Sequence, residues 1–250
     1  MWDDVKQMNA LAITLTAITA ICLAWVAVTW TVRQPSFAFH EVVVIAPLER
    51  ANGAHLEAVI REELTGTFFT MDLARARRAL NAVPWIRNVA LRRQWPHRLE
   101  VTVDEHEPLA RWNDASLVNT RGEVFAAQSR ADFPQFNGPE GRAAEIATRY
   151  RSWSDTLRPV ALTVAQVRLS PRGAWQVKAT GPAGPLVLEL GRDEPDARLA
   201  RFVVVHGRTL GALARAGTRI EAVDLRYRNG FAARVPGFRE KGGKPAAGTT

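Results

Sequence analysis

The sequence holds a single cysteine, Cys22, and it stands inside an uninterrupted apolar run. The remainder, Arg33 to Thr250, therefore builds no disulfide and offers no thiol nucleophile to an oxidising compartment. Histidine is nearly as scarce, at five residues, and none has metal-ligand company. His97 and His106 bracket one expected strand at a spacing that does not bring two ring nitrogens to a common ion. No glycine-rich phosphate loop follows a strand, and no Gly-x-Ser-x-Gly elbow occurs. Asp104, Glu105 and Glu107 cluster at a strand end, but alternation points neighbours to opposite faces, so a solvated strand end is expected rather than an acid/base pair. The expectation is a chain with no catalytic site, metal, cofactor or small-molecule substrate. An envelope hydrolase with scattered catalytic groups is the enzymatic alternative. Internal repeats are absent as well.

Charge and proline are both missing between Leu11 and Val32. Those 22 residues span roughly 33 Å as a helix, the thickness of a bilayer core. A cleaved signal peptide has a basic head and a shorter apolar run. Here the head carries Asp3, Asp4 and Lys6, and no small-x-small pattern closes the run. Lipidation at Cys22 is disfavoured by the bulky Ile21 before it. The reading is one transmembrane helix at 11–32 behind a cytoplasmic head at 1–10, with the bulk translocated. Trp25, Trp30, Phe37 and Phe39 are expected to form an aromatic belt at its C-terminal face.

The net charge is +8, and Arg75, Arg77, Arg78, Arg87, Arg92, Arg93 and Arg98 form a basic segment of the kind that binds nucleic acid. Outside the cytoplasm the same arginines face lipid headgroups or acidic proteins, so no nucleic-acid partner is expected. The fold class is α+β. His40 to Ala46 reads as a strand, and Leu56, Val59, Ile60 and Leu64 recur at helical spacing up to Gly66. Leu73, Ala76 and Leu80 repeat that pattern. A strand begins at Val89 and Leu91, Trp95-Pro96 marks a turn, and Leu99, Val101 and Val103 alternate with polar residues.

After a boundary near Pro108 the pattern predicts a β-rich domain with a mainly antiparallel sheet and flanking helices. A hairpin is expected at Leu117 to Phe125, a loop from Asp132 to Gly141 and a helix from Ala143 to Leu157. Strands follow near 164–169, 174–179 and 186–190. The next helix opens at Asp193-Glu194-Pro195 and presents Leu199, Phe202, Val203, His206, Leu210 and Leu213 on one face. Val223, Leu225 and Tyr227 alternate up to Asn229-Gly230, and Phe231, Ala233 and Val235 follow, a strong hairpin signal. Residues 236–250 read as a disordered tail.

Several of these residues form a recognisable pattern. It runs Pro84-Trp85-Ile86 and Val89, then Arg93, Trp95-Pro96, Leu99, Val101, Val103, Glu105, Pro108, Ala110 and Trp112. Asn119, Gly122 and Val124-Phe125 continue it, and Val223-Asp224-Leu225-Arg226-Tyr227 close it. The pattern resembles the bacterial FtsQ/DivIB family of cell-division proteins over nearly the whole chain. That resemblance implies a polypeptide-transport-associated (POTRA) domain of β-α-α-β-β order at 37–107 and a partner-binding β domain at 108–235. It also implies an inner-membrane protein at the division septum, periplasmic in bulk, an essential scaffold that links early and late divisome components. The implied partners are FtsB and FtsL at the β domain, other divisome proteins at the POTRA domain, and inner-membrane lipid.

The physical reading of the partner site is strand addition to a last strand on a sheet edge, here Phe231, Ala232, Ala233, Arg234 and Val235 after the turn Asn229-Gly230. The resemblance adds Arg226, Tyr227 and Arg172, the arginines pairing with acidic partner side chains. The sequence departs from the family at Arg228, where an acidic residue occurs, and at Val235, where a tryptophan does. For Tyr227 the alternative is a core aromatic, and for Arg172 a solvent-exposed turn residue beside Gly173. The rival function is a POTRA-containing periplasmic chaperone or transport module.

Overall fold

A computed structural model describes residues 5–45, 49–207, 218, 220–227 and 230–236. The first element, α1 (Val5–Val32), is longer than the apolar run and includes residues 5–10 of the expected head. Within Lys6–Val32 an 18-residue window has a mean hydropathy of 2.3 and no buried residue, so by length and composition the helix can cross a membrane. Leu11, Ile18, Trp25 and Trp30 all stand open, an apolar surface that water does not tolerate on this scale. The five threonines of α1 each donate their hydroxyl to a backbone carbonyl three or four residues earlier, at 2.7–2.9 Å. A helix in lipid satisfies its polar groups internally in this way.

Contacts divide the chain into two compact units, Met1–His106 and Glu107–Thr250. In the first, β1 (Glu41–Ile45), α2 (Gly53–Glu63), α3 (Leu73–Asn81), β2 (Ile86–Gln94) and β3 (Arg98–Glu105) build a three-stranded sheet of order β1-β3-β2. β1 runs parallel to β3, and β2 antiparallel to it. Both helices start on side-chain caps: Asn52 accepts from the N–H of Ala54 and His55, and Asp72 from Ala74 and Arg75. The alternating face Leu99, Val101, Val103 packs with Leu56, Leu80 and Val89 in one buried cluster. Phe39, expected in an aromatic belt, packs against that cluster instead.

The acidic strand end is not merely solvated. The Glu105 carboxylate accepts the backbone N–H groups of Glu49, Arg50 and Ala51 at 2.9–3.4 Å, which fixes the approach to α2. Asp104 pairs with Arg87, and Glu107 accepts the Thr120 hydroxyl. Three neighbouring carboxylates thus serve three separate structural partners.

The second unit contains β4 (Pro108–Trp112), β5 (Ser116–Asn119), β6 (Val124–Phe125), β7 (Gln135–Asn137), α4 (Ala143–Leu157), β8 (Thr163–Leu169), β9 (Trp175–Gly181), β10 (Gly184–Gly191), α5 (Pro195–His206), β11 (Ala222–Asp224) and β12 (Ala232–Arg234). One nine-stranded sheet of order β12-β11-β10-β9-β8-β7-β4-β5-β6 carries them. Most neighbours are antiparallel, but β7 is parallel to both β4 and β8, and β11 to β10. β7 corrects the expected loop at 132–141. Pro134, Gly138 and Pro139 hide a three-residue strand whose Phe136 is fully buried, and that strand joins the two halves of the sheet.

The hairpin β5–β6 turns at Gly122, whose φ is +84°. A Cβ there would lie 2.5 Å from the Ala144 Cα on α4. Gly122→Ala is therefore expected to destabilise this unit by about 3 kcal/mol, a left-handed backbone penalty plus overpacking. Gly141→Ala is the control: its φ is +78° but nothing lies within 4 Å of the added methyl, so about 1 kcal/mol is expected. Denaturant midpoints of the two variants decide it, and equal losses would remove the close approach to α4 as the cause.

Candidate partner-binding edge

β12 terminates the large sheet. It pairs with β11 in the register Ala222↔Arg234, Val223↔Ala233, Asp224↔Ala232, and no described strand lies on its other side. Ala232, Ala233 and Arg234 are all exposed. Phe231 and Val235 flank them and pack against the core cluster of the unit. An edge held at both ends by apolar anchors, with small side chains between, presents its outward backbone groups without steric cover.

The sheet topology gathers further residues at the end where β12 begins. β10 runs parallel to β11, and Gly191 at the end of β10 pairs with Trp175 at the start of β9. The β8–β9 turn, the loop after β10 and the segment after β11 therefore share one end of the sheet. Arg172 lies exposed in that first turn, which Ser170 closes by accepting the N–H of Gly173 at 2.9 Å. Arg226 follows β11, and its aliphatic stem passes close to Gly191, where an added Cβ would meet Arg226 Cγ at 3.0 Å.

Arg226 is already engaged. Its Nε and Nη2 donate to the Asp224 carboxylate at 2.9 and 2.6 Å, and its backbone N–H donates to Asp224 Oδ1 at 3.0 Å. The Arg226 side-chain hydrogen bond holds the Asp224 carboxyl below the usual carboxylate range, and the same carboxylate raises the guanidinium. The pair fixes the direction of Arg226 at the surface. Arg172 and Arg192 have no acidic partner among the described residues.

Tyr227 is 58% exposed although Val223 and Leu225, four and two positions earlier, are buried. The core-aromatic alternative is thereby excluded. Its ring borders an open apolar groove of about 570 Å³ whose walls include Phe202 and Val205 of α5, Leu225 and Phe231. His206, one turn beyond Phe202, packs on the Phe202 ring with centroids 5.2 Å apart, and burial lowers the pKa of His206.

Comparison with known proteins completes the assignment. A family model described as "POTRA domain, FtsQ-type" matches residues 37–106, and one described as "Cell division protein FtsQ/DivIB, C-terminal" matches residues 110–226. The chain belongs to the FtsQ/DivIB family. It is 38% identical to the cell division protein FtsQ of Burkholderia pseudomallei over 96% of each chain. It is 36% identical to that of Nitrosospira multiformis, over 94% of this chain and 99% of the relative. With the protein of Neisseria gonorrhoeae the identity is 30%, over 94% and 95%. The chain is thus an FtsQ-family cell-division protein with a helix suited to a single membrane span.

Of the residues singled out by sequence, Arg172, Arg226, Tyr227, Gly230, Phe231, Ala232, Ala233, Arg234 and Val235 fall on the edge strand or at the sheet end beside it. Asn229 and Arg228 lie outside the described residues, as do Leu210, Leu213 and all of the expected tail beyond Pro236. Sequence reasoning missed Asp224 as the clamp on Arg226, a contact made by the turn that follows the end of β11, where Asp224 also accepts the Arg226 backbone N–H. It also missed the α5 wall of the groove: Phe202, which helical periodicity assigns to the core alone, and Val205, which lies off the expected apolar face. Among the described residues no group of three or more His, Cys, Asp or Glu is placed to hold a metal ion.

Proposed function

We propose that this protein is a non-catalytic scaffold of the division machinery that captures FtsB, and FtsL with it, by strand addition to β12. The observation that carries this reading is an exposed edge strand beside arginines. Ala232 to Arg234 are all open, and at the same end of the sheet Arg172 and Arg192 carry no acidic partner among the described residues. Backbone pairing supplies register and affinity, and the arginines select a partner segment with carboxylates next to its strand. Arg226 contributes by sharing its remaining donors with a partner carboxylate while Asp224 keeps it aimed.

In this reading the N-terminus of α1 is cytoplasmic, the two units are periplasmic, and the protein sits at the septum, where it links early and late divisome components. Other divisome proteins meet the POTRA domain, and a flat edge rather than a substrate pocket forms the working surface of the second unit. The test is charge reversal in the full chain, held in detergent, against periplasmic segments of FtsB and FtsL. Arg172→Glu and Arg226→Glu are each expected to weaken binding about tenfold, on the order of 1.4 kcal/mol, and to flatten its salt dependence. Unaltered affinity in both variants would leave the arginines without a role, and weak, salt-insensitive binding of many unrelated extended peptides would favour the chaperone function.

A further inference from the structure

The first unit carries a second surface, at the end from which α1 leaves it. The chain exits α1 at Val32, whose carbonyl accepts the hydroxyl of Thr67 at 2.7 Å. Thr67 lies in the α2–α3 loop, and Ala38 bridges to it. The same loop is tied down again where Phe68 N–H donates to Phe37 O at 2.8 Å. Two residues after that bridge, the N–H of His40 donates to the His97 carbonyl at 3.0 Å, and the His40 and His97 rings meet edge to face, centroids 4.9 Å apart. Because β1 is parallel to β3 with Glu41 opposite Arg98, the β2–β3 turn, Trp95-Pro96-His97, sits at the start of β1. Both loops therefore lie at the end of the unit that adjoins the membrane-spanning helix.

Those loops carry large aromatics that the fold leaves open. Trp95 is 74% exposed and Phe69 51% exposed, and Phe69 is braced edge-on by Phe37 and Phe68 at 5.4 and 5.2 Å. Around them stand cations. Arg33 and Arg92 are exposed and have no acidic partner among the described residues; Arg98 pairs with Glu41 at 2.8 Å. Arg93 lies over the Phe68 ring at 6.0 Å and donates to the Met71 carbonyl at 2.6 Å. Aromatic rings with one wet edge settle at the headgroup level of a bilayer, and arginines beside them bind anionic headgroups at about 1 kcal/mol each.

We propose that this end of the POTRA domain rests on the leaflet from which α1 emerges, with Trp95 and Phe69 set among the headgroups and Arg33, Arg92 and Arg98 on anionic phospholipid. The occupant is the bilayer rather than a protein because the surface is continuous with the span: the Thr67 hydroxyl bonds the last carbonyl of α1 itself. The inference depends on α1 being inserted in a membrane and is independent of the β12 reading. Its consequence is a POTRA domain held in one orientation on the membrane, not tethered by a free linker.

The test uses the full chain in nanodiscs of phosphatidylcholine, with or without phosphatidylglycerol, made from ordinary lipid or from lipid brominated near the headgroup. Trp95 emission is taken as the difference between wild type and Trp95→Phe, so that Trp25 and Trp30 in the span cancel. Trp95 is expected to lose most of its emission in brominated discs, more so with phosphatidylglycerol, and the triple variant Arg33→Gln, Arg92→Gln, Arg98→Gln to recover it to the level seen in phosphatidylcholine. Trp95 emission that is indifferent to bromine overturns the proposal. Quenching that is equal in both lipids and unchanged in the triple variant overturns the anionic headgroup assignment. Shielding of Trp95 from an aqueous quencher only when a divisome protein is added assigns the surface to protein instead.

Discussion

Of the two variants Ala232→Pro and Ala233→Pro, one is expected to fold normally yet lose at least about tenfold in affinity for the periplasmic FtsB segment. The argument lies in strand geometry. Successive N–H groups of a strand point to opposite sides, so in β12 one neighbour donates toward β11 and the other toward open solvent. Proline removes the donor and fixes φ near a value that an edge strand accepts. Where the lost N–H faced outward, the β11–β12 ladder, with its pairs Val223↔Ala233 and Asp224↔Ala232, survives and an added strand loses a backbone hydrogen bond together with the close fit it needs. Where the lost N–H faced β11, the hairpin itself weakens. Binding measured beside circular dichroism separates the two, and normal affinity in both variants would mean that the partner does not pair with β12.

Trp153→Ala carries the larger cost in stability. Trp153 is 1% exposed, and its Nε1 donates to Asp196 Oδ1 at 2.6 Å. Its ring meets Trp175 edge to face with centroids 5.3 Å apart. Arg149 lies 4.8 Å above Trp175 and 5.7 Å above Trp153 while pairing with Asp196 at 2.8 Å. One side chain on α4 thus fastens the first turn of α5 to the start of β9. Truncating it leaves a large cavity and takes one hydrogen bond from the Asp196 carboxylate, which keeps its ion pair with Arg149, for an expected loss of about 3–5 kcal/mol, much of a domain's total margin of about 5–15 kcal/mol. The exposed Trp95→Ala should lose about 0.5 kcal/mol or less. Chemical denaturation followed by near-ultraviolet dichroism checks both, and comparable losses would deny the α4–α5–β9 cluster its role. Because α5 supplies Phe202 and Val205 to the groove beside Tyr227, partner binding is expected to fall with it.

The regular elements were legible because burial imposes a period. Leu99, Val101 and Val103 alternate on a sheet with one covered face, and Leu199 and Phe202 repeat at helical spacing under α5. Both patterns follow from geometry that any half-buried element obeys. β7 escaped because three residues are too few to show a period, and the strands that hold its two edges, β4 and β8, are more than twenty residues away in sequence. Glu105 read as a solvated acid because its partners, the amides of Glu49 to Ala51, are remote in sequence and carry no side-chain signature. Phe39 was assigned to a membrane belt by its distance from the span, whereas a chain that turns into β1 carries it over the POTRA core.

The candidate site was legible in part for the same reason. Asn229-Gly230 between alternating runs announces a hairpin, and a last hairpin commonly lies at a sheet edge. The position of Arg172 at the same end of the sheet depends on the order β11-β10-β9-β8, which local sequence does not encode. Nor does local sequence show that Tyr227 turns outward. The alternation of Val223 and Leu225 predicts an inward ring, but β11 ends at Asp224, and the strand rule ends with it.

Amide hydrogen exchange across Phe231 to Val235, in the full chain with and without the FtsB segment, tests strand addition most directly. An unpaired edge exchanges its outward amides freely, and a paired one does not. The account predicts that every second amide of β12 is slow before binding, that the intervening ones become slow on binding, and that the slowing is lost with the binding-deficient proline variant. Saturating binding that leaves the outward amides of β12 exchanging at their free rate would contradict it.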